Sequence, residues 1–304
     1  MSRRTGGIGA WLEVLRISNA PTVLTNVLAG AAVGMHRLPA GGAVPAGALA
    51  LVGTGVLLVY LSGMSLNDAF DARADAVERP GRPIPSGRVS AARATAVGLT
   101  MLLVGTSMLA VASGAALAVG LAALVLLYDL LHRAVPGAFL LMAACRGMVP
   151  ALAALAVAPD AGRPLLWWAC GGMAAYVAGI SLAARDEVRG FGASARLGAW
   201  TLPVSACAPL GLWIALGAQA PGTWPIALGI AACAAAALAA ALGMLVARRG
   251  AARFAVPVAV GIWIGAIPFV DAATCFLLGH PFLGLACLGL WGVAGALRPR
   301  VAAS

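Results

Sequence analysis

Four of the chain's ten acidic residues, Asp68, Asp71, Asp75 and Glu78, stand in one short stretch, NDAFDARADAVERPGRPIPSGRVS. If the chain is helical there, Asn67, Asp71 and Asp75 recur every four residues and share a face, with Asp68 and Glu78 in the same sector. Carboxylates gathered on one face repel one another unless a cation sits among them. Their hard oxygens suit Mg2+, which binds through a few carboxylates, keeps waters and takes substrate phosphate oxygens. Arg79, Arg82 and Arg88 follow, and a guanidinium makes forked hydrogen bonds to phosphate. The prolines of PGRPIPSG forbid a continuous helix and predict a stiff, folded loop fit to serve as a lid or wall. The plainer alternative is a solvated loop, which needs charges but does not need acids at helical spacing.

Other polar groups are few. ARDEVRG places Arg185, Asp186, Glu187 and Arg189 together, either as a facing wall of the same cavity or as a charged cap between two helices. LLYDLLHR ends an apolar run with Tyr128, Asp129, His132 and Arg133. Tyr128 reads as a substrate contact or as an interfacial aromatic, and the three charges after it read as a loop at the membrane edge. Arg146 and Asp271 lie inside apolar segments, where an Arg costs at least about 2.5 kcal/mol and must face a carboxylate or a polar cavity. The expected partner of Arg146 is a diphosphate or the Asp68–Asp75 cluster. Asp271 is expected to touch an acceptor or another polar side chain. His36 and His280, at predicted outer ends, receive no role.

These groups must be positioned by membrane helices. Of 304 residues, 62% are hydrophobic and 10% charged, too few charges to clothe a soluble fold of this size. A membrane helix needs about 20 apolar residues. Candidates fall at roughly 20–36, 44–66, 94–112, 114–131, 137–157, 164–184, 199–218, 223–247 and 254–278, with a shorter piece at 281–297 left open as a tenth. Placing the N-terminus inside leaves only Arg37 and Arg163 outside, as the positive-inside rule expects. The net charge of +10 does not indicate nucleic-acid binding, because the Arg residues occupy short gaps between apolar runs and form no continuous basic face. All 20 basic residues are Arg, which together with abundant Ala, Gly and Val suggests a GC-rich bacterial genome. The six cysteines lie in apolar segments without a CxxC pair and read as packing residues. The expectation is one domain over 1–304, an all-α polytopic bundle, with an Asp-rich loop at 67–93 and a second polar loop at 185–196.

The pattern Asn67-Asp68-x-x-Asp71-x-x-x-Asp75, followed by Arg82, Pro83, Pro85, Ser86 and Gly87, resembles the first signature of the UbiA superfamily of intramembrane prenyltransferases. The second signature of that family, an Asp pair four residues apart, is matched at Asp186 with its preceding Arg. Its partner position is Gly190, and Glu187 is the nearest substitute. The finer pattern is similar to a bacterial, Ebo-type subgroup. The resemblance covers nearly the whole chain in helix count and motif placement. It implies nine helices around a central cavity in the bacterial cell membrane, with the site on the cytoplasmic side. It implies a polyprenyl diphosphate donor and an unidentified small-molecule or lipid acceptor. Mg2+ would be held by Asp68, Asp71, Asp75, Asp186 and Glu187. Asn67, Asp71, Asp75 and Tyr128 would act in catalysis, while Arg79, Arg82, Arg88, Arg133 and Arg146 would hold the diphosphate. Asn26 resembles a polar first-helix residue of the family. Three rival readings stand beside the resemblance. A transporter would use Arg146 and Asp271 as an ion relay. A CDP-alcohol phosphotransferase would need Gly where Ala72 follows Asp71. A non-catalytic prenyl-diphosphate carrier is favoured only by Gly190.

Overall fold

The computed structural model describes residues 7–38, 43–160, 163–184, 193–215, 222–249 and 252–298, and every regular element among them is helical. A short N-terminal helix, α1 (Ile8–Val14), precedes α2 (Ala20–Met35) and α3 (Ala46–Phe70). The Asp-rich stretch forms α4 (Ala72–Glu78), and α5 (Ala91–Ser113), α6 (Ala115–Leu131) and α7 (Phe139–Val157) follow. The second half comprises α8 (Arg163–Ala184), α9 (Ala193–Ala206), α10 (Ala208–Ala215), α11 (Thr223–Arg249), α12 (Ala252–Leu277) and α13 (Pro281–Leu297). Among the described residues, seven segments are long and apolar enough to cross a membrane, and α6 and α13 are shorter apolar helices. The chain is a multi-pass membrane protein. Leu103, Val111, Leu130, Trp167, Leu238 and Phe282 are exposed, as side chains facing lipid tails should be.

The expected spans recur as helices, with one difference. The span at 199–218 is broken at Cys207 into α9 and α10. Pro209 has no N–H to continue the ladder, and the chain turns there through bonds from Cys207 N to Val204 O and from Leu210 N to Cys207 O. The final apolar piece forms α13, which folds back along α12, with Phe269 and Trp291 meeting edge to face at 5.2 Å.

Three apolar cores hold the bundle. One joins α2, α3, α5, α6 and α7 through Val23, Val56, Leu66, Leu102, Leu121 and Leu152. A second joins α8, α9, α11 and α12 around Tyr176, Leu202, Trp263 and Ile267. The third uses α2, α10, α12 and α13, with Phe276 at its centre. Helices α2 and α7 run side by side in the same direction. Gly30 and Gly34 allow this, since a Cβ on either would run into the backbone of Pro150 or Ala154. This close pairing brings the start of α2 against Arg146, and so shapes the polar interior.

Candidate active site

Helix α3 ends at Phe70, and Asp71 is a single turn residue before α4. The bonds from Asp71 N to Asn67 O, Asp75 N to Asp71 O and Arg79 N to Asp75 O continue across that break. Asn67, Asp68, Asp71 and Asp75 therefore keep a common side and are all buried. Glu78 does not join them: its side chain is exposed and pairs with Arg133.

Each of these three aspartates has a cation within 4 Å. Asp68 accepts from Arg16 at 2.9 Å, and Arg82 Nη1 reaches Asp75 at 2.6 Å and Asp68 at 3.5 Å. Asp71 bonds His132 Nε2 at 3.0 Å and lies 3.7 Å from Arg133. Burial would raise the Asp71 carboxyl, but the His132 hydrogen bond and the charges of His132, Arg133 and Arg82 outweigh it and hold the group below its ordinary value. The bond to Asp71 raises His132 in turn, against the effect of burial. The two groups thus favour each other's charged form.

The loop 79–90 is folded, as the prolines predict. Bonds run from Ser86 N to Arg82 O, Gly87 N to Ile84 O and Val89 N to Pro83 O. Gly87 sits at φ 75, the left-handed region where glycine is strain-free. Ile84 and Val89 bury against Ala10 and Val14 of α1. Arg88 is engaged here and not among the aspartates: it holds Glu13 of α1 through two bonds, at 2.9 and 2.7 Å. Arg79, beyond α4, is exposed.

Arg146 meets a different partner from the one expected. Its guanidinium donates to Asn26 Oδ1 at 2.7 Å and to the Thr22 hydroxyl at 2.8 Å. Asn26 passes the interaction on, donating to Asp271 at 2.7 Å. The reason is the parallel packing of α2 on α7, which puts the Asn26 amide closer than any aspartate of the cluster. Asp271 also borders a narrow cavity of ≈ 30 Å³ lined by Met173, Trp168 and Thr274. That is room for about one water.

Sequence reasoning undervalued three residues. Arg16, which the N-terminus-inside orientation places on the inner side with most other arginines, caps the cluster from a left-handed backbone (φ 43, ψ 47). Its carbonyl accepts from the Tyr60 hydroxyl at 3.2 Å. His132 and Asp129, read as loop charges, both face the motif: Asn67 Nδ2 donates to Asp129 Oδ1 at 3.3 Å. The available signal was the four-residue spacing of Tyr128 and His132, whose rings stack at 5.2 Å. Asp186, Glu187 and Gly190 lie outside the described residues.

Among the described residues, no three His, Cys, Asp or Glu side chains already converge as a metal site. The donor set nevertheless fits Mg2+. Asp68 Oδ2 and Asp129 Oδ2 are buried without a hydrogen-bond partner. Mg2+ needs only one or two carboxylates when phosphate oxygens complete its shell.

Comparison with known proteins agrees with this architecture. The sequence profile of the UbiA prenyltransferase family matches residues 27–254, well over half of the chain. The digeranylgeranylglyceryl phosphate synthase of Methanopyrus kandleri is 40% identical over 119 residues, 39% of this chain and 41% of the relative. That of Ignicoccus hospitalis is 36% identical over 101 residues, 33% of this chain and 31% of the relative. The matched part is thus less than half of either relative. Two solved structures share the fold over 90% of this chain and 98% of their own. One concerns digeranylgeranylglyceryl phosphate synthase in membranes (TM-score 0.61, 17% identity). The other is an apo UbiA homologue from Aeropyrum pernix (TM-score 0.51, 20% identity).

Proposed function

The chain belongs to the UbiA prenyltransferase family, and from that premise we propose that it transfers a prenyl group from a polyprenyl diphosphate to a lipid acceptor with the help of Mg2+. One observation carries the reading. Three buried aspartates at the end of a membrane helix are compensated by Arg16, Arg82, Arg133 and His132, cations that a diphosphate can engage in their place.

In this reading Arg82, Arg16 and Arg133 take up the diphosphate oxygens, with Arg79 as a further candidate. Asp68, Asp71 and Asp75 would then hold the cation, with Asp186 and Glu187 as further candidates from the sequence. Mg2+, when bound, neutralises the diphosphate and makes it a better leaving group. Asn67 keeps the carboxylates in register with α6. Tyr128, stacked on His132, presents its ring to the positive charge that develops on the allylic carbon. The apolar helices keep water from that carbon while the acceptor attacks it. The product named for the archaeal relatives carries two geranylgeranyl chains on a glyceryl phosphate. Geranylgeranyl diphosphate with a geranylgeranylglyceryl phosphate acceptor is therefore the pair to offer first. The Arg-rich face that carries the site is assigned to the cytoplasm, with the N-terminus.

The test uses the purified protein in lipid nanodiscs with radiolabelled geranylgeranyl diphosphate. Label should move to the acceptor with Mg2+, stop on chelation, and stop in Asp75→Asn. Full turnover in excess EDTA would overturn the metal-assisted reading, and undiminished transfer by Asp75→Asn would overturn the site assignment.

A further inference from the structure

Asp129 stands apart from the other acids at this end of the bundle. Asp68, Asp71, Asp75 and Glu78 each face a guanidinium or an imidazole within 4 Å. Asp129 takes part in none of the ion pairs of the described residues, although it is only 4% exposed. Its Oδ1 has one long hydrogen bond, from Asn67. Its Oδ2 is buried with no partner at all. A carboxylate oxygen left so is costly, and a site that keeps one is built for something that arrives later.

The place of Asp129 says what arrives. Asn67 is the first residue of the aspartate motif, and it links two orphaned oxygens: Asp68 Oδ2, on the adjacent residue, and Asp129 Oδ2, on the carboxyl it bonds. His132 lies three residues beyond Asp129 on the same helix end and bonds Asp71. Helix α6 thus docks on the motif through both side chains. Two buried carboxylate oxygens with no donor call for a cation and not for another hydrogen-bond acceptor.

We propose that Asp129 is a further carboxylate ligand of the divalent cation, acting through Oδ2 together with Asp68. It supplies from α6 an acid beyond the α3–α4 motif, in a chain whose second motif has Gly190 where a carboxylate is expected. The proposal rests on the reading of this cluster as a Mg2+–diphosphate site. The rival role is a purely structural one, in which Asp129 only pins α6 to Asn67.

Asp129→Asn separates the two roles, because an asparagine keeps the acceptor oxygen for Asn67 and loses the charge. Mn2+ is titrated into nanodisc-embedded protein in the presence of inorganic diphosphate, and free Mn2+ is read by electron paramagnetic resonance. The variant should bind Mn2+ about tenfold or more weakly than the unaltered protein. Its melting temperature without metal should be unchanged or higher. Asp129→Ser, which also keeps a hydrogen-bonding oxygen without charge, should behave alike and serves if the first variant does not fold. Asp129→Glu should retain most of the affinity. Equal Mn2+ affinity in the variants and the unaltered protein would overturn this proposal and leave the function reading intact. No Mn2+ binding by the unaltered protein would overturn both.

Discussion

Arg82 holds two buried carboxylates with one nitrogen, and that makes it the most exposed point of failure in the site. Asp68 and Asp75 are each 2% exposed, and Arg82 is 8%. Removing one partner of a buried ion pair leaves uncompensated charge and costs about 3–5 kcal/mol. Arg82→Ala should therefore lower the melting temperature sharply in metal-free buffer. Mg2+ with diphosphate should recover part of that loss, since it supplies the missing positive charge. Thermal unfolding with and without the two additives checks both halves. The aspartates were legible in the sequence, because helical spacing expresses their common face; Arg82 was legible as a phosphate ligand but not as their ion-pair partner. The partners Arg16 and His132 were not: they are 52 and 61 residues away from Asp68 and Asp71, and only the packing of helices brings them in. Asn26 and Arg146 show the same limit. Arg146 was legible as a group that needs a partner, but not which partner, because that choice depends on which helix lies beside α7.

At the scale of elements, α1 is tied down by one ion pair and a small apolar patch. Glu13 and Arg88 are both about a quarter exposed, so their pair contributes on the order of 1 kcal/mol or less. Glu13→Ala should leave global stability nearly untouched while hydrogen–deuterium exchange rises over residues 8–19. Such a result would mark α1 as a separately released element over the proline loop. The pairing of α2 with α7 is different in kind. At Gly30 an added Cβ would meet the backbone of Pro150 and the Cβ of Ala153, neither of which can swing aside. Gly30→Ala should cost about 1–3 kcal/mol, as overpacking does, and should also loosen the Arg146–Asn26 contact one turn away. Denaturant or thermal unfolding in detergent measures the first effect. The second is read by exchange at the amides of α2. The spans themselves were legible from apolar run length. The break at Cys207 was not, because a proline in a membrane helix is often accommodated and run length does not register it. The end of α3 at Phe70 was invisible for a similar reason: the backbone bonds run on through Asp71, and only its turn geometry interrupts the helix.

For the whole molecule, the two faces carry different chemistry, and pH should tell them apart. The aspartate face gathers nearly all the compensated charge. The opposite face has the chain turns at His36 and His280. His280 immediately precedes α13, after Gly279, which takes φ 82, and its Nε2 is buried without a partner. Burial lowers the imidazole below its ordinary 6.5, and the neighbouring His36 lowers it further. A depressed folded-state value means that the neutral ring is the form the fold prefers. The stability this contributes is fully present above pH 6.5 and is lost as pH falls from there through the folded-state value. The His280 contribution to stability should therefore be lost between neutral and mildly acid pH, at the α12–α13 turn. His280→Gln, which cannot take up a proton, should flatten this dependence of the melting temperature. A substitution on the aspartate face that leaves His280 in place, such as Glu13→Ala, should leave the slope unchanged. Because the two histidines share one face, protein in sealed vesicles should respond to acid on that side alone. A response from the aspartate side instead would show that the α12–α13 turn is not the weak point.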